Sequence, residues 1–285
     1  MSIRGLRRII TRRRFLAGSL ATCGGVGLYT WQWEPHWLRV VERPLPVRHL
    51  SDELQGARLV QLSDLHIGPR VTDSHVRRVF EVTRSLAPDI VVITGDFISY
   101  EPGILAHLER MLVHIPHGRM ATLGVLGNHD FGFRWQDHTL SARIVERADH
   151  AGLRILRNEV STHAGLHIVG LDDLWGGNFR PELAFASLPD DAAAIALSHN
   201  PDTVDLPGWS RFQGWVLCGH THGGQCKPPF LPPPMLPVKN RRYTAGEFEL
   251  TGHRRMYINC GIGHLLKVRF NVRPEITLFQ LQTQR

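Results

Sequence analysis

The stretch DIVVITGD, residues 89–96, decides the fold. The run between Asp89 and Asp96 carries no charge and is rich in β-branched residues. Such a run is typical of a parallel strand that is buried on both faces, because a half-exposed strand would alternate apolar and polar residues. We therefore predict a central strand that ends on a carboxylate, Asp96.

The segments on either side repeat this pattern. A strand is predicted over residues 57–64 (ARLVQLSD), and another over residues 120–130 (MATLGVLGNHD). Apolar residues at helical spacing fill the intervals, as in residues 104–115 (ILAHLERMLVHI). Alternating strands and helices indicate a layered α/β fold. Three strands thus end on polar groups, namely Asp64, Asp96, and Asn128 with His129.

The second half of the chain is richer in predicted strands. A hairpin turns about Gly165, and the strands AAAIALSH and GWVLCGH end on His199 and His220. Residues 228–237 (PPFLPPPMLP) contain six prolines in ten positions, which predicts an irregular surface loop that could rim a site. Residues 263–270 (GHLLKVRF) mix apolar and cationic residues. We predict a core strand with an exposed lysine there, with contact to lipid headgroups as the alternative.

The positive charge of the chain is concentrated at its N-terminus. The formal net charge is +7, and six arginines precede residue 15 with no acid among them. The remainder of the chain is close to neutral, so its composition does not favour a nucleic-acid-binding protein. No nucleic-acid partner is expected.

The N-terminal segment has the order of an export signal. Arginines are followed by a long uncharged run, and TRRRFL (residues 11–16) resembles the twin-arginine signal. We divide the chain into a signal or membrane anchor (1–33), a proline-marked linker (34–56) and one globular domain (57–285). This division predicts export by the twin-arginine machinery to the periplasmic face of the inner membrane. A basic amphipathic arm and a leader that is removed stay open as alternatives.

Four cysteines without a C-x-x-C pair are too few for a disulfide framework. We expect most of them to be buried thiols. An exported chain could still form one bridge among Cys218, Cys226 and Cys260, and the sequence does not choose the pair.

Metal-binding side chains recur at the predicted strand ends. They occur in five blocks: D-x-H, G-D, G-N-H-D, a single histidine after a strand, and G-H-x-H. Each block alone is common, and a lone histidine is more often a hydrogen-bonded core or surface residue. Ligands of α/β sheets bind beyond the carboxyl ends of the strands, so the five blocks can converge on one site. The metal-capable residues are Asp64, His66, Asp96, Asn128, His129, His199, His220 and His222.

In this order the five blocks resemble the calcineurin-like metallophosphoesterase superfamily over residues 58–281. The resemblance implies a four-layer α/β/β/α sandwich, in which helices flank two mixed β-sheets. It also implies a centre of two divalent metal ions that hydrolyses a phosphoester bond. His129 would stay off the metals and act on the substrate as the catalytic residue.

The same resemblance implies a ligand set for the two metals. Manganese, iron or zinc suits this set better than magnesium, because four of the donors are histidines. Some members of the superfamily carry an acid three residues after the bridging aspartate, and Ser99 stands there in this chain. The implied ligands are Asp64, His66 and His222 for the first metal, Asp96 for both, and Asn128, His199 and His220 for the second.

Three further motifs are similar to a bacterial subgroup of the superfamily, the YaeI and YkuE type. They are LSHNPD (197–202), CGHTHGGQ (218–225) and VRFNVRPEITLFQL (268–281). This resemblance implies a phosphodiesterase or pyrophosphatase acting on a membrane-associated or lipid-linked phosphate, such as the UDP-diacylglucosamine-type pyrophosphate of lipid A synthesis. A soluble phosphomonoesterase or nucleotidase and a non-catalytic metal-binding scaffold are the alternatives.

Overall fold

A computed structural model describes residues 11–209 and 212–284. Within them, the strands form two six-stranded sheets that pack face to face, with helices on the outer faces. Both sheets mix parallel and antiparallel pairs. The predicted α/β sandwich of two mixed sheets flanked by helices is confirmed.

The first sheet has the strand order β1-β12-β2-β3-β4-β5. Its centre is the parallel set β2, β3 and β4, so the carboxyl ends of these three strands lie at one edge. Strand β3 is the stretch IVVIT, and all five of its residues are buried, as predicted. The strands are β1 (Arg39–Val47), β2 (Arg58–Leu62), β3 (Ile90–Thr94), β4 (Ala121–Val125), β5 (Arg154–Ile155) and β12 (Glu275–Thr283).

The second sheet has the strand order β10-β11-β9-β8-β7-β6. The predicted hairpin about Gly165 is its β6–β7 pair, and β7, β8 and β9 run parallel to one another. The strands are β6 (Glu159–His163), β7 (Leu166–Gly170), β8 (Ala193–Leu197), β9 (Trp215–Cys218), β10 (Gly246–Glu249) and β11 (Arg255–Ile258).

Three apolar layers hold the sandwich together. Between the sheets, side chains such as Val92 and Leu123 pack against Ile195 and Leu217. A second layer lies under helices α2 (Asp73–Ser85), α3 (Ile104–Leu112) and α4 (His138–His150), and a third under the short helix α5 (Pro181–Phe185). These layers remove apolar surface from water, which is the main favourable contribution to folding.

The segment predicted as a linker, residues 34–56, contains strand β1. This strand pairs in parallel with β12 along nine residues, and Leu45 and Val47 are buried in the core. The prediction of a linker is therefore wrong for this part of the chain. The prolines that suggested it, Pro44 and Pro46, are tolerated because β1 is an edge strand of its sheet.

The leader contains helix α1 (Arg12–Leu28), which has no buried residue. Three of the six leader arginines, Arg4, Arg7 and Arg8, lie outside the described residues. Among the helices that are described, none has the length and apolar character needed to cross a membrane.

Residues 263–270 form a loop instead of the predicted core strand. The physical reason is that side chains of other segments take carbonyls that a strand would pair: Gln225 donates to those of Leu266 and Val268, and Arg70 donates to that of Leu265. Leu266 and Val268 consequently stand 58% and 37% exposed. The buried guanidinium of Arg269 donates further hydrogen bonds to the carbonyls of Cys260, Gly261, Gly263 and Val272.

Candidate metal centre

The predicted site residues meet where the carboxyl ends of the two sheets adjoin. Asp96 follows β3, and Asp64 donates its backbone N–H to the carbonyl of Gly95 at 2.9 Å. His199, which follows β8, reaches across to the first sheet, where its Nδ1 lies 2.7 Å from the carbonyl oxygen of Thr94. This carbonyl accepts a hydrogen bond from Nδ1–H, so Nε2 of His199 is left as a ligand atom.

Glycines allow the close approach of the two sheets at this point. A Cβ atom at Gly219 would lie 1.8 Å from Oγ of Ser63 and 2.5 Å from a carboxylate oxygen of Asp64. A Cβ at Gly95 would lie 2.6 Å from Nδ1 of His199. No larger residue fits at either position unless the site moves.

Five of the seven predicted ligands have a left-handed backbone. This conformation is unfavourable for non-glycine residues by roughly 1–3 kcal/mol each, and such residues cluster at functional sites. At this site the strained turns point side chains from successive strands at one another. The φ angles are 53° for Asp64, 48° for His66, 54° for Asp96, 70° for His220 and 48° for His222.

The first cluster consists of Asp64, His66 and His222. Their ligand atoms lie within 4.8 Å of one another, and all three residues are buried. Nε2 of His66 lies 3.1 Å from Nε2 of His222, and Nε2 of His222 lies 3.3 Å from Oδ1 of Asp64. Two imidazole nitrogens and a carboxylate that face one point are suitable donors for a divalent transition metal.

The second cluster consists of Asp96, His199 and His220, which are also buried and within 4.8 Å of one another. Nδ1 of His220 faces Nε2 of His199 at 3.1 Å, while the carbonyl oxygen of Pro237 lies 2.8 Å from Nε2 of His220. That carbonyl is an acceptor, so the proton stays on Nε2 and Nδ1 is the ligand atom of His220.

Asp96, a member of the second cluster, also faces the first cluster. Its Oδ2 lies 3.2 Å from Nε2 of His199 in the second cluster and 3.6 Å from Nε2 of His66 in the first. One carboxylate oxygen within reach of both clusters is the arrangement that a bridging ligand requires. The two clusters together indicate a dinuclear centre for divalent metals.

Asn128 fits the same centre. Both polar atoms of its side-chain amide are buried and have no hydrogen-bond partner. Its chain neighbours both contact Asp96, since the N–H of His129 donates to Oδ1 of Asp96 and Gly127 packs against that carboxylate. A buried amide without a partner is unfavourable, and an ion beside Asp96 would give Asn128 the interaction it lacks.

Burial and mutual charge shift the pKa values of these groups. Burial lowers the pKa of His66 to about 3. Burial and the nearby His199 lower the pKa of His220 to about 3 as well. Both imidazoles are therefore neutral ligands near neutral pH. Burial also opposes a charge on His199, but Asp96, Asp64 and Asp173 outweigh it and raise its pKa to about 10. Without a metal ion, the positive charge of protonated His199 compensates the negative charge of these carboxylates, and a bound metal cation would take over that role.

Residues 57–224 match the family described as calcineurin-like phosphoesterase. The chain belongs to this family. It is a hydrolase of phosphoester bonds, as the order of the five metal-binding blocks predicts.

Three curated relatives match nearly the whole length of this phosphoesterase. The chain is 31% identical to "Phosphodiesterase YaeI" of Escherichia coli strain K12, over 96% of this chain and 100% of the relative. It is also 31% identical to "Uncharacterized metallophosphoesterase YkuE" of Bacillus subtilis strain 168, over 96% and 98%. "UDP-2,3-diacylglucosamine pyrophosphatase LpxG" of Chlamydia trachomatis serovar D is 29% identical, over 93% and 97%. The predicted resemblance to YaeI and YkuE is confirmed.

His129 is held beside the centre of the phosphoesterase without belonging to either cluster. Its backbone N–H donates to Oδ1 of Asp96 at 2.9 Å, and its ring lies edge-on to that of His66 with the centroids 5.2 Å apart. The residue is only partly buried, unlike the ligands around it. The role of His129 toward a substrate stays a prediction.

Two further residues next to the centre, Asp130 and Ser99, have defined contacts. Asp130 is buried, and its carboxylate accepts hydrogen bonds from the backbone N–H groups of Phe97, Ile98 and Gly127. It therefore joins the loop after β3 to the loop after β4. The Oγ of Ser99 lies 3.4 Å from Nδ1 of His66, so a hydroxyl contacts the imidazole of His66.

Sequence reasoning missed the wall on the His220 side of the site. Trp175 lies edge-on to His220 with ring centroids 4.6 Å apart, and Trp135 stacks on Trp175 at 4.4 Å. Asp173 is buried there and accepts hydrogen bonds from the N–H groups of Trp175 and Gly176. The rule that polar residues follow strands could have found Asp173, because it comes three residues after β7.

Proposed function

We propose that this phosphoesterase cleaves a phosphodiester or pyrophosphate bond of a membrane-associated or lipid-linked substrate with two bound divalent metals. The observation that carries the catalytic part is the position of Asp96, which belongs to the second cluster and also lies 3.6 Å from Nε2 of His66 in the first. The relatives support the substrate class, because one is called a phosphodiesterase and another a UDP-2,3-diacylglucosamine pyrophosphatase.

The ligands divide as the two clusters do. Asp64, His66 and His222 would hold one ion, His199, His220 and Asn128 the other, with Asp96 shared by both. Manganese, iron or zinc suits a set with four imidazoles. When bound, such a pair activates water as a nucleophile and stabilises the charge on phosphoryl oxygens.

In this proposal, His129 interacts with the substrate and does not bind a metal. Its imidazole lies next to the centre and is partly open to solvent, so it can contact a phosphoryl oxygen or the leaving group. A histidine in this position donates a hydrogen bond to the charge that develops in the transition state, or gives a proton to the departing oxygen.

The proposal extends to the cellular location of the enzyme, which rests on the leader. We propose that it is a twin-arginine export signal that keeps the protein at the periplasmic face of the inner membrane. The basic stretch before a long uncharged run supports this, as does the full exposure of helix α1. In fractionated cells, Arg12→Lys together with Arg13→Lys should leave the protein in the cytoplasm, whereas unchanged export would contradict the signal.

Hydrolysis is tested first with a general substrate. Purified protein loaded with Mn²⁺ should cleave bis(p-nitrophenyl) phosphate, and Asp96→Ala should not. No turnover with any divalent metal would contradict the catalytic part of the proposal. A screen of nucleotides, phospholipids and lipid-linked pyrophosphates then tests the substrate class, and preference for soluble monoesters would contradict it.

A further inference from the structure

The surface around the candidate metal centre carries large apolar side chains that no other part of the described chain covers. They come from three separate segments: the end of the leader, the proline-rich loop and the loop of residues 263–270. Among them Phe230 is 104% exposed, Trp33 and Met235 are each 67% exposed, and Leu266 is 58% exposed. We call this surface the apolar rim, and it consists of Trp31, Trp33, Phe230, Leu231, Met235, Leu266 and Val268.

The rim is attached directly to the loop that carries His220 and His222. Gln225, three residues after His222, donates hydrogen bonds from Nε2 to the carbonyls of Leu266 and Val268 at 2.6 and 2.8 Å. On the other side, a Cβ atom at Gly224 would lie only 2.2 Å from Cβ of Pro233, so the proline-rich loop packs tightly there. The rim therefore adjoins the metal centre.

The end of the leader belongs to the same surface. The backbone N–H of Arg269 donates to the carbonyl of Thr30 at 2.9 Å, and Nζ of Lys267 lies 5.8 Å from the centroid of the Trp31 ring. Behind them, the buried carboxylate of Glu34 accepts a hydrogen bond from the N–H of Val272 at 2.6 Å. The leader thus leaves the domain at the rim.

Lysine and arginine side chains accompany the rim. Residues 226–246 contain four lysines and arginines and no acid, and residues 263–274 contain Lys267, Arg269 and Arg273 and no acid, of which Arg269 is buried. Lys227 is exposed beside the proline-rich loop, and Lys267 lies between Leu266 and Val268. The chain outside its N-terminal arginines is close to neutral, so this concentration of cations is local.

We propose that the apolar rim binds the surface of an anionic phospholipid bilayer, so that the metal centre opens toward lipid headgroups. Exposed tryptophan and aliphatic side chains flanked by lysine and arginine match the boundary between acyl chains and anionic headgroups. An apolar surface of this kind is unusual on a monomeric soluble protein unless it binds something. The inference gives the proposed function its membrane partner, and vesicle binding is measured without turnover, so either can fail alone.

Hydrogen–deuterium exchange of the full chain tests which surface meets the lipid. With vesicles rich in phosphatidylglycerol, the amides of residues 263–270 should exchange more slowly, and those around Val113 should not change. Val113 is 77% exposed and follows helix α3, whose C-terminal end lies away from the strand ends that form the site. Binding through the leader alone, with unchanged exchange in residues 263–270, would overturn the proposal.

Matched substitutions test the energetics. Leu266→Asp with Val268→Asp should weaken flotation with phosphatidylglycerol vesicles by about tenfold or more, because two apolar side chains no longer enter the bilayer. Val113→Asp adds the same kind of charge elsewhere and should bind like the wild type. The thermal unfolding midpoint and metal content show whether each variant is folded. Equal binding to phosphatidylcholine vesicles, or a dimer that the rim substitutions dissociate, would also overturn the proposal.

Discussion

The seven predicted metal ligands form the floor of the candidate site, and this floor differs from the apolar rim in almost every physical respect. The least buried of the seven predicted ligands, His222, is 8% exposed, whereas the rim residue Phe230 is fully exposed. The floor is fixed by backbone hydrogen bonds and strained turns at the ends of buried strands. The rim consists of irregular loops and the end of the leader.

The floor and the rim place different demands on the sequence. The floor needs carboxylate, imidazole and amide groups in fixed positions, because metal ligands tolerate little displacement. The rim needs only an apolar and cationic character, since a bilayer surface accepts many arrangements of side chains. Under the proposal of bilayer binding, the floor determines the chemistry and the rim determines which substrates the centre meets.

The largest expected effect is at Asp96, where the two clusters join. Asp96→Ala should lower turnover of bis(p-nitrophenyl) phosphate by roughly a thousandfold or more, because the shared carboxylate of the proposed centre is lost. Steady-state kinetics with saturating Mn²⁺ measures it. Asp149→Ala, at an exposed position of helix α4, is the control and should keep full activity. Near-wild-type turnover of the Asp96 variant would remove the proposed bridge.

His129 tests whether the floor separates metal binding from catalysis. His129→Gln should lower kcat by about 10²–10⁴-fold, the usual effect of losing a positioned acid or hydrogen-bond donor. Metal content should stay unchanged, because His129 lies in neither cluster. Elemental analysis of the same sample that is used for kinetics makes the comparison. Loss of metal in parallel with activity would instead make His129 a ligand.

Asp130 tests how firmly the floor is held. Asp130→Ala leaves three backbone N–H groups without their acceptor and should lower the free energy of unfolding by about 3 kcal/mol. Urea denaturation of metal-free protein measures this change. Asp149→Ala again serves as the control, with a change within about 0.5 kcal/mol. An equally small change for Asp130→Ala would show that these loops do not depend on its carboxylate.

His264, which lies beneath the rim, provides a test based on the pH dependence of the free energy of unfolding, and the expected effect is smaller than that at Asp130. Burial, aided by the nearby Arg269, lowers its pKa to about 4, so the folded protein holds it neutral while the unfolded chain takes up a proton near pH 6.5. Its stabilising contribution is complete above that pH and is lost as the pH falls toward 4. Between pH 7 and 5 this loss is about 2 kcal/mol.

The measurement for His264 is a difference. Urea unfolding of the metal-free wild type and of His264→Gln should show a smaller loss of stability between pH 7 and 5 in the variant. All other titrating groups are common to both proteins and cancel. The same pH dependence in both would mean that His264 does not titrate with folding.

The sequence predicted the floor well for a physical reason. Short, β-branched runs such as residues 90–94 favour buried strands, and the polar residue that follows such a strand lies at the carboxyl edge of the sheet. This rule placed Asp96 and His199 before any coordinates. Asp173 obeys the same rule, but a pair of acids without a histidine or glycine pattern gave no reason to select it.

The sequence could not predict the rim, because its structure depends on long-range contacts. Residues 263–270 have the composition of a strand, yet the distant side chains of Gln225 and Arg70 take carbonyls that would pair. Strand β1 was missed for the opposite reason, since Pro44 and Pro46 look like a linker until β12 is known to lie beside them. Neither outcome follows from local pattern.

The central claim is that two clusters share Asp96 and hold one metal each. The most direct measurement is the metal content per chain of the wild type, His222→Ala and His220→Ala after equal loading with Mn²⁺. The account predicts two ions in the wild type and one in each variant, with the remaining ion in a different cluster in each case, as anomalous diffraction would show. A single ion in the wild type, or loss of both ions in each variant, would contradict it.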